Sequence, residues 1–177
     1  QADGVDLLLT SAVNFYEGVT QAEAEEFYDR MRNPNDSTPI SYGLNSKLMK
    51  ENGVLVEKTY KLGGMYGKAI EQIVYWLNKA LSVAENDKQK DVIHSLIKFY
   101  ETGDLKTYDE YCIKWVQDTA SLVDFVNGFT ETYADPLGLK GSWESIVNFK
   151  NLASTKRTET ISENAQWFEN NSPIDNR

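Results

Sequence analysis

Apolar residues recur three and four positions apart through the middle of the chain, which predicts three consecutive amphipathic helices. The first is expected over about residues 66–85. The second follows it and ends at Gly103, and Asp104 can cap the third. The apolar faces of the three helices are formed by Ile70, Ile73, Val74, Leu77, Leu81 and Ala84; by Val92, Ile93, Leu96, Ile97 and Tyr100; and by Tyr108, Tyr111, Cys112 and Trp115.

Helical patterns also occur at both ends of the chain. Residues 4–16 are predicted to be helical, and Thr20 opens a further helix that runs to about Arg32, because Glu23 completes a capping box with it. A last helix is expected over about residues 151–170, where most sides are polar. Its apolar anchors are Ile161, Ala165 and Phe168.

Two segments have β character instead. The pair Asn52-Gly53 predicts a hairpin over about residues 44–60, because both turn positions favour residues that tolerate positive φ. After a short helical turn at residues 121–127, a second β segment is expected to run over residues 129–135. It turns through a Pro-Leu-Gly sequence and returns over residues 142–149. The second β region thus occupies about residues 128–149.

These elements predict an α+β fold that is mainly α-helical, with helices around a small antiparallel sheet. A length of 177 residues is typical of one domain, and residues 1–177 are interpreted as a single unit. Because the chain begins with Gln1 and ends shortly after a proline, we expect it to be an excised or processed segment of a longer protein.

The net charge of the chain argues against two classes of binding partner. Apolar residues make up 41% and charged residues 25%, but 27 acidic against 18 basic residues give a net charge of −9. A nucleic-acid binder neutralises phosphates with a basic surface, so this balance argues against nucleic acid and against anionic membranes. No apolar run approaches the ~20 residues that a membrane span requires, and no signal peptide is recognisable.

Histidine and cysteine are too rare for the common metal sites. With one histidine and one cysteine, the chain contains neither an HExxH motif nor a Cys/His zinc site, and no zinc is expected in it. A carboxylate site for a hard cation stays open, although no EF-hand spacing occurs. A lone Cys112 is typical of a reducing compartment, which favours the cytoplasm and leaves the periplasm open.

Several eye-catching residues have ordinary structural interpretations. His94 lies opposite the apolar face of its helix and is expected on the surface. Cys112 is interpreted as a small buried hydrophobe, and Trp76 and Trp115 as core residues. The glycines of residues 63–67 lack the Walker lysine pattern and are interpreted as a linker before a helix.

One strand offers a more specific arrangement. If residues 129–135 form a strand, the period of two places Phe129, Glu131, Tyr133 and Asp135 on one face. A carboxylate and a phenol then stand side by side on rigid backbone, where they can grip a ligand. Taken alone, such a pair more often decorates a solvated sheet face.

The sequence around that pair resembles a family signature. Residues 127–138, with the core Gly-Phe-x-Glu-x-Tyr-x-Asp-Pro, closely resemble a motif of the dipeptidyl peptidase III family of zinc peptidases, bacterial type. Residues 40–48, 69–77, 115–118 and 142–144 are similar to bacterial members too. The resemblance covers nearly the whole chain and is weakest over about the first thirty residues.

The resemblance implies a two-lobed hydrolase that removes dipeptides from the N-terminus of oligopeptides. Its zinc site, an HExxGH motif with a further glutamate, is absent here, so the chain matches part of the lower lobe, and the isolated fragment is expected to be inactive. Glu131 matches the glutamate that pairs with the substrate's terminal ammonium, and Tyr133 the tyrosine near the scissile bond. Thr130 departs from the apolar residue that many members carry.

The implied partners are the oligopeptide substrate and the catalytic lobe of the same protein, which would carry the zinc. An exopeptidase must measure the distance from the free amine to the cut bond, and two extended residues span ~7 Å. A carboxylate held that far from the metal selects dipeptide release. The alternative interpretation is a stand-alone helical interaction module without catalysis.

Overall fold

The computed structural model describes residues 4–174, which form an α+β fold as predicted. Its strands are β1 (Tyr16–Glu17), β2 (Ser46–Glu51), β3 (Val54–Thr59), β4 (Val123–Glu131) and β5 (Ser142–Phe149). Its helices are α1 (Gln21–Asp29), α2 (Gly67–Leu81), α3 (Asp87–Thr102), α4 (Leu105–Gln117), α5 (Leu152–Glu163) and α6 (Ala165–Asn170).

Helix α3 is the centre of the main core, with α2 and α4 packed against it. Asn86 caps its N-terminus, and Gly103 ends it in the left-handed conformation that favours glycine. Leu96, Phe99 and Tyr100 are completely buried, so this helix contributes to the core on more than half of its circumference. The apolar faces predicted for the three helices are confirmed.

A three-stranded sheet forms the second layer, in the order β1-β2-β3. The hairpin of β2 and β3 turns at Asn52 and Gly53, both with positive φ, as the sequence predicts. Strand β1 adds a short parallel pairing to β2. Helix α1 begins with the predicted capping box and covers this sheet. Its residues Ala24 and Tyr28 form a second, smaller core cluster with Leu48 of β2.

Strands β4 and β5 form a separate antiparallel pair. It is attached to the main core by the hydroxyl of Tyr100, which donates to the amide oxygen of Asn127 and accepts from the indole nitrogen of Trp143 at 2.8 Å. One residue of α3 therefore fixes both strands. The register shifts between Phe129 and Glu131, where a bulge interrupts the ladder.

The helix predicted over residues 4–16 is wrong. This segment forms turns, because the carboxylate of Asp6 accepts from the backbone N–H groups of Leu8, Leu9 and Gln21 and thereby draws the chain back onto the start of α1. The same contacts hold the pKa of Asp6 below its ordinary value. Local turn chemistry has outcompeted a weak helical period.

The helical turn predicted at residues 121–127 is also wrong, since β4 already begins at Val123. Its first backbone groups are satisfied from far along the chain: Glu85 accepts from the N–H groups of Leu122 and Val123 at 2.9 and 2.8 Å, and Gln89 donates to the Val123 carbonyl at 2.8 Å. These bonds lower the pKa of Glu85. A remote acid has therefore specified the start of this strand.

The remaining corrections concern aromatic residues and the C-terminal helix. Trp76 is 65% exposed and is not a core residue, whereas Trp115 packs against the main core as predicted. The helix expected over residues 151–170 is broken at Asn164 into α5 and α6. Within residues 4–174, neither helix has a buried residue, so the predicted anchors Ile161, Ala165 and Phe168 are all exposed.

Candidate substrate-binding site

Two residues near the start of the signature segment, Gly128 and Phe129, are buried against the main core. Phe129 is buried, with its ring 5.2 Å from that of Tyr60 and 6.5 Å from that of Phe99 between centroids. Gly128 lies directly against Tyr108, and a Cβ atom added there would stand 2.7 Å from the phenolic oxygen. The Gly-Phe pair therefore anchors the end of β4 through close packing that a larger residue than glycine prevents.

The strand ends earlier than the sequence predicts, and the shared face is wrong as a consequence. β4 stops at Glu131, and Tyr133 and Asp135 lie in the following turn. Phe129 and Asp135 are buried, whereas Glu131 is exposed and Tyr133 is 86% exposed. The bulge and the turn thus separate two solvent-facing side chains, Glu131 and Tyr133, from two anchoring ones.

Asp135 shapes the loop that directly follows the turn of Tyr133. Its carboxylate accepts from the backbone N–H groups of Leu139 at 2.9 Å and Lys140 at 2.8 Å, and from the hydroxyl of Tyr16 at 2.8 Å. Because burial and the Asp135 carboxylate both disfavour the phenolate, they raise the pKa of Tyr16. One acid therefore closes this loop and ties it to β1.

Lys140 is the most deeply buried charged group of the site, with no exposed surface. Its ammonium donates to the hydroxyls of Tyr28 and of Ser46, the latter at 3.0 Å, and lies 3.8 Å from the carboxylate of Glu57. It also stands 4.5 Å above the ring of Tyr28. Burial lowers the pKa of Lys140 to about 8, and Glu57 opposes the shift.

No sequence pattern predicts these ionic anchors. Asp135 was expected beside Glu131 on the ligand face, and Lys140 reads as an ordinary loop lysine between two glycines. Their partners lie far away: Tyr28 and Ser46 are 112 and 94 residues from Lys140, and Tyr16 is 119 residues from Asp135. A buried lysine is recognised only when the fold brings such partners together.

An open groove of about 830 Å³ adjoins the turn. One wall is the loop of residues 32–42, which includes Arg32, Asp36 and Tyr42, and the other wall includes Thr132 and Leu139. The groove therefore lies next to the segment that displays Tyr133, with charged and apolar groups along its walls.

The other chemically active residues lie apart from this site. His94 is exposed on α3, as predicted. Cys112 is half-buried, and burial raises the pKa of its thiol, which makes it a poor nucleophile. Among residues 4–174, no three His, Cys, Asp or Glu side chains are grouped so that they could hold a metal ion, and no helix is long and apolar enough to cross a membrane.

Comparison with known proteins decides the family. The profile of peptidase family M49 matches residues 39–177. The chain belongs to peptidase family M49, the dipeptidyl peptidase III family. The matched range includes Glu131, Tyr133, Asp135 and Lys140, so the solvent-facing pair and its buried anchors all lie within the family domain.

Curated relatives are dipeptidyl peptidases 3 of eukaryotes. The enzyme of Dictyostelium discoideum is 28% identical over 112 residues, which cover 63% of this chain and 16% of that protein. The human enzyme is 28% identical over 103 residues, 58% of this chain and 14% of that protein. The chain therefore spans only 14–16% of the length of these relatives.

Two solved structures share the fold. Dipeptidyl peptidase III from Caldithrix abyssi superposes with a TM-score of 0.67 at 21% identity, over 93% of this chain and 30% of that one. The enzyme from Corallococcus sp. strain EGB gives a TM-score of 0.62 at 22% identity, over 92% and 29%. The arrangement of helices and small sheets is thus that of a region of a dipeptidyl peptidase III-like peptidase.

Proposed function

We propose that this chain is the substrate-binding, lower-lobe part of a zinc-dependent exopeptidase that releases N-terminal dipeptides from oligopeptides. The observation that carries the proposal is the pair of solvent-facing side chains, Glu131 at the end of β4 and Tyr133 in the turn after it, which lie between the buried residues Phe129 and Asp135. The family match favours this function over that of a stand-alone interaction module.

Glu131 is the group we assign to the free N-terminus of the peptide. Its exposed carboxylate stands at the last residue of β4, next to the bulge, so its backbone is held by the ladder to Ser142. A carboxylate and an ammonium form a charge-assisted hydrogen bond, which is among the stronger polar contacts once water is excluded. A chain with a blocked amine would lose this contact, which accounts for selection of free N-termini.

Tyr133 is the group we assign to the region of the scissile bond. Its hydroxyl can donate a hydrogen bond to the carbonyl oxygen as negative charge develops there. The backbone between the two residues fixes how far the phenol stands from the carboxylate. The pair therefore acts as a gauge of length, which favours removal of two residues rather than one or three.

Zinc does not fit the residues of this chain. The sequence has one histidine and one cysteine, and the described part of the chain groups no three candidate ligands. We therefore assign the metal that the family implies to the catalytic lobe of the longer protein, and the role of this chain to binding and orientation. By itself the chain is expected to release no dipeptides.

The test is the substitution Glu131→Gln in the full-length enzyme. Loss of the ammonium contact should lower kcat/KM for a dipeptide-releasing substrate by about a hundredfold, as expected for removal of a close charge pair. Zinc content, measured by elemental analysis, should stay that of the wild type. Glu71→Gln, which removes an exposed carboxylate from α2, is the matched control.

Tyr133→Phe separates binding from transition-state stabilisation. If the hydroxyl contacts developing charge, kcat should fall about tenfold or more with little change in KM. Wild-type kinetics for both Glu131→Gln and Tyr133→Phe would overturn the assignment of the site. A cytoplasmic location, also part of the proposal, is testable by fractionating cells that produce the full-length enzyme.

A further inference from the structure

The turn that carries Tyr133 is attached to the rest of the fold by buried charge. This turn ends at Asp135, whose N–H donates to the Thr132 carbonyl at 3.0 Å, and the loop that follows it ends at Lys140; both residues are buried, at 4% and 0% exposure. Between them, only Leu137 and Leu139 pack against the second core cluster. This loop therefore has two apolar residues in contact with the cluster, beside the buried polar contacts of Asp135 and Lys140.

The polar contacts reach every element of the three-stranded sheet layer. Asp135 accepts from Tyr16 of β1. Lys140 contacts Tyr28 of α1, Ser46 of β2 and Glu57 of β3. Glu57 in turn accepts from Tyr28 at 2.7 Å and from Ser46 at 2.5 Å, so Lys140 and these three side chains form a closed network. The backbone N–H of Lys140 joins this network to Asp135 and, through it, to Tyr16.

Such a network is a costly way to hold a turn if stability alone is required. A buried ion pair is often replaceable by well-packed apolar side chains with no loss of stability, because desolvation offsets much of the attraction. What directional bonds to fixed partners do provide is a single geometry. The side chains whose geometry is set are those immediately before the network, Glu131 and Tyr133.

We propose that Asp135 and Lys140, with Tyr16, Tyr28, Ser46 and Glu57, form a positioning network that sets the spacing of Glu131 and Tyr133 and thereby the length of the released peptide. This inference rests on the proposed function of the pair. Lys140 and Asp135 are positioning residues, because neither is exposed to a substrate.

The decisive variant is Lys140→Met in the full-length zinc enzyme, which keeps the length of the side chain and removes its charge and hydrogen bonds. A shift of about 1 Å in a positioned group can cost up to about a hundredfold in rate, so we expect kcat/KM to fall by about tenfold or more. The product distribution should also change, with amino acids or tripeptides appearing beside dipeptides, a result that loss of folded enzyme does not produce.

Lys47→Met is the matched control. Lys47 lies next to Ser46 on β2, has a largely buried side chain and pairs with Glu17 at 2.6 Å, but it belongs to the opposite side of the strand from the network. Its substitution should leave the product distribution and kcat/KM unchanged. Lys140→Arg, which retains the charge, should restore dipeptide release at least in part.

A mutant cycle connects the network to the pair. If Lys140 acts through Glu131 and Tyr133, adding Lys140→Met to an enzyme that already carries Glu131→Gln and Tyr133→Phe should lower kcat/KM little further. Multiplied effects would show that Lys140 acts elsewhere and would overturn the inference. Wild-type kinetics for Glu131→Gln would instead refute the proposed function, so the two failures are distinguishable.

Tyr16→Phe keeps the inference testable if Lys140→Met does not fold. It removes only the hydroxyl that donates to Asp135 and leaves the ring in place. We expect a rise in KM of about threefold or more, together with a detectable fraction of misplaced cuts. Purely dipeptide products and unchanged kinetics from folded Tyr16→Phe and Lys140→Met enzymes would contradict the inference.

Discussion

At the scale of single residues, the signature segment combines exposed residues that can contact a ligand with buried residues that support them. Glu131 and Tyr133 face solvent, whereas Gly128, Phe129 and Asp135 hold the backbone that carries them. A motif of this kind combines contact with a ligand and the support for that contact. The supporting positions tolerate little change in side-chain size, because the supporting residues are close-packed.

The substitution Gly128→Ala tests how much change in side-chain size a supporting position tolerates. The new methyl group would stand 2.7 Å from the Tyr108 hydroxyl and 2.8 Å from its ring, so the strand or the ring must move. Overpacking of this kind costs about 1–3 kcal/mol of unfolding free energy, measurable from urea denaturation of the chain. Gly67→Ala, where the nearest atom is 3.6 Å away at the start of a helix, is the control and should be neutral or stabilising. Equal midpoints for both variants would show that the Tyr108 contact is not restrictive.

At the scale of elements, local patterns predict what local interactions decide. The capping box of Thr20 and Glu23, the Asn52-Gly53 turn and the three apolar helix faces all depend on neighbours within a few residues, and all are confirmed. The candidate residues Glu131 and Tyr133 were likewise found from the local motif. Their exposed positions agree with the expectation of a ligand-facing pair, while their role stays a prediction.

The errors lie where acidic side chains, some near in the sequence and some distant, decide the local structure. Asp6 accepts from the N–H of Gln21, Glu85 accepts from the N–H of Val123 at the start of β4, and Asp135 accepts from the N–H of Leu139 in the loop after Tyr133. Each is an acid that accepts backbone N–H groups and so replaces a regular ladder. The prediction of a shared strand face for residues 129–135 is wrong for this reason. A period of two in the sequence does not reveal a bulge or a turn that is closed by a side chain.

The attachment of α1 to the sheet should be sensitive to acid. Lys50 pairs with Glu23 at 2.5 Å and, with the capping bonds at Thr20, lowers the pKa of Glu23 to about 2 from an ordinary 4.5. A depressed carboxyl pKa stabilises the folded state above pH 4.5, and this contribution is lost as the pH falls from 4.5 towards 2. The unfolding free energy of Glu23→Gln should therefore fall less steeply over that range than that of the wild type.

Glutamine at this position still completes the capping box, so Glu23→Gln isolates the charge from the cap. The control is Glu25→Gln on the same helix, whose exposed carboxylate accepts from the Gln21 amide and, among residues 4–174, from no other group. Its acid profile, followed by circular dichroism across pH 2–5, should match the wild type. Parallel profiles for Glu23→Gln and the wild type would show that the ion pair is too well solvated to matter.

At the scale of the whole molecule, the cores of this chain end before its last helices. The main cluster is centred on α3, and the smaller one lies between α1 and the sheet. Of the residues the structure describes, none in α5 or α6 is buried, and Trp167 and Phe168 are exposed. Yet the family profile includes both helices. Under the proposed function, we expect their apolar residues to pack on the catalytic lobe.

The consequence is that α5 and α6 should add nothing to the stability of the isolated chain. Helices of 12 and 6 residues are marginal without tertiary contacts. A chain that stops at Lys150 should therefore unfold in urea with the same free energy as the 177-residue chain, to within about 0.5 kcal/mol, and with nearly the same dependence on urea. A chain that begins at Asn14 is the contrasting truncation, because it removes Leu8 from the smaller core and the Asp6 contacts with α1. That second truncation should cost about 2 kcal/mol or more. A large loss of unfolding free energy on removal of α5 and α6 would mean that these helices pack against the cores of this chain. Their apolar residues would then not be an interface with the catalytic lobe.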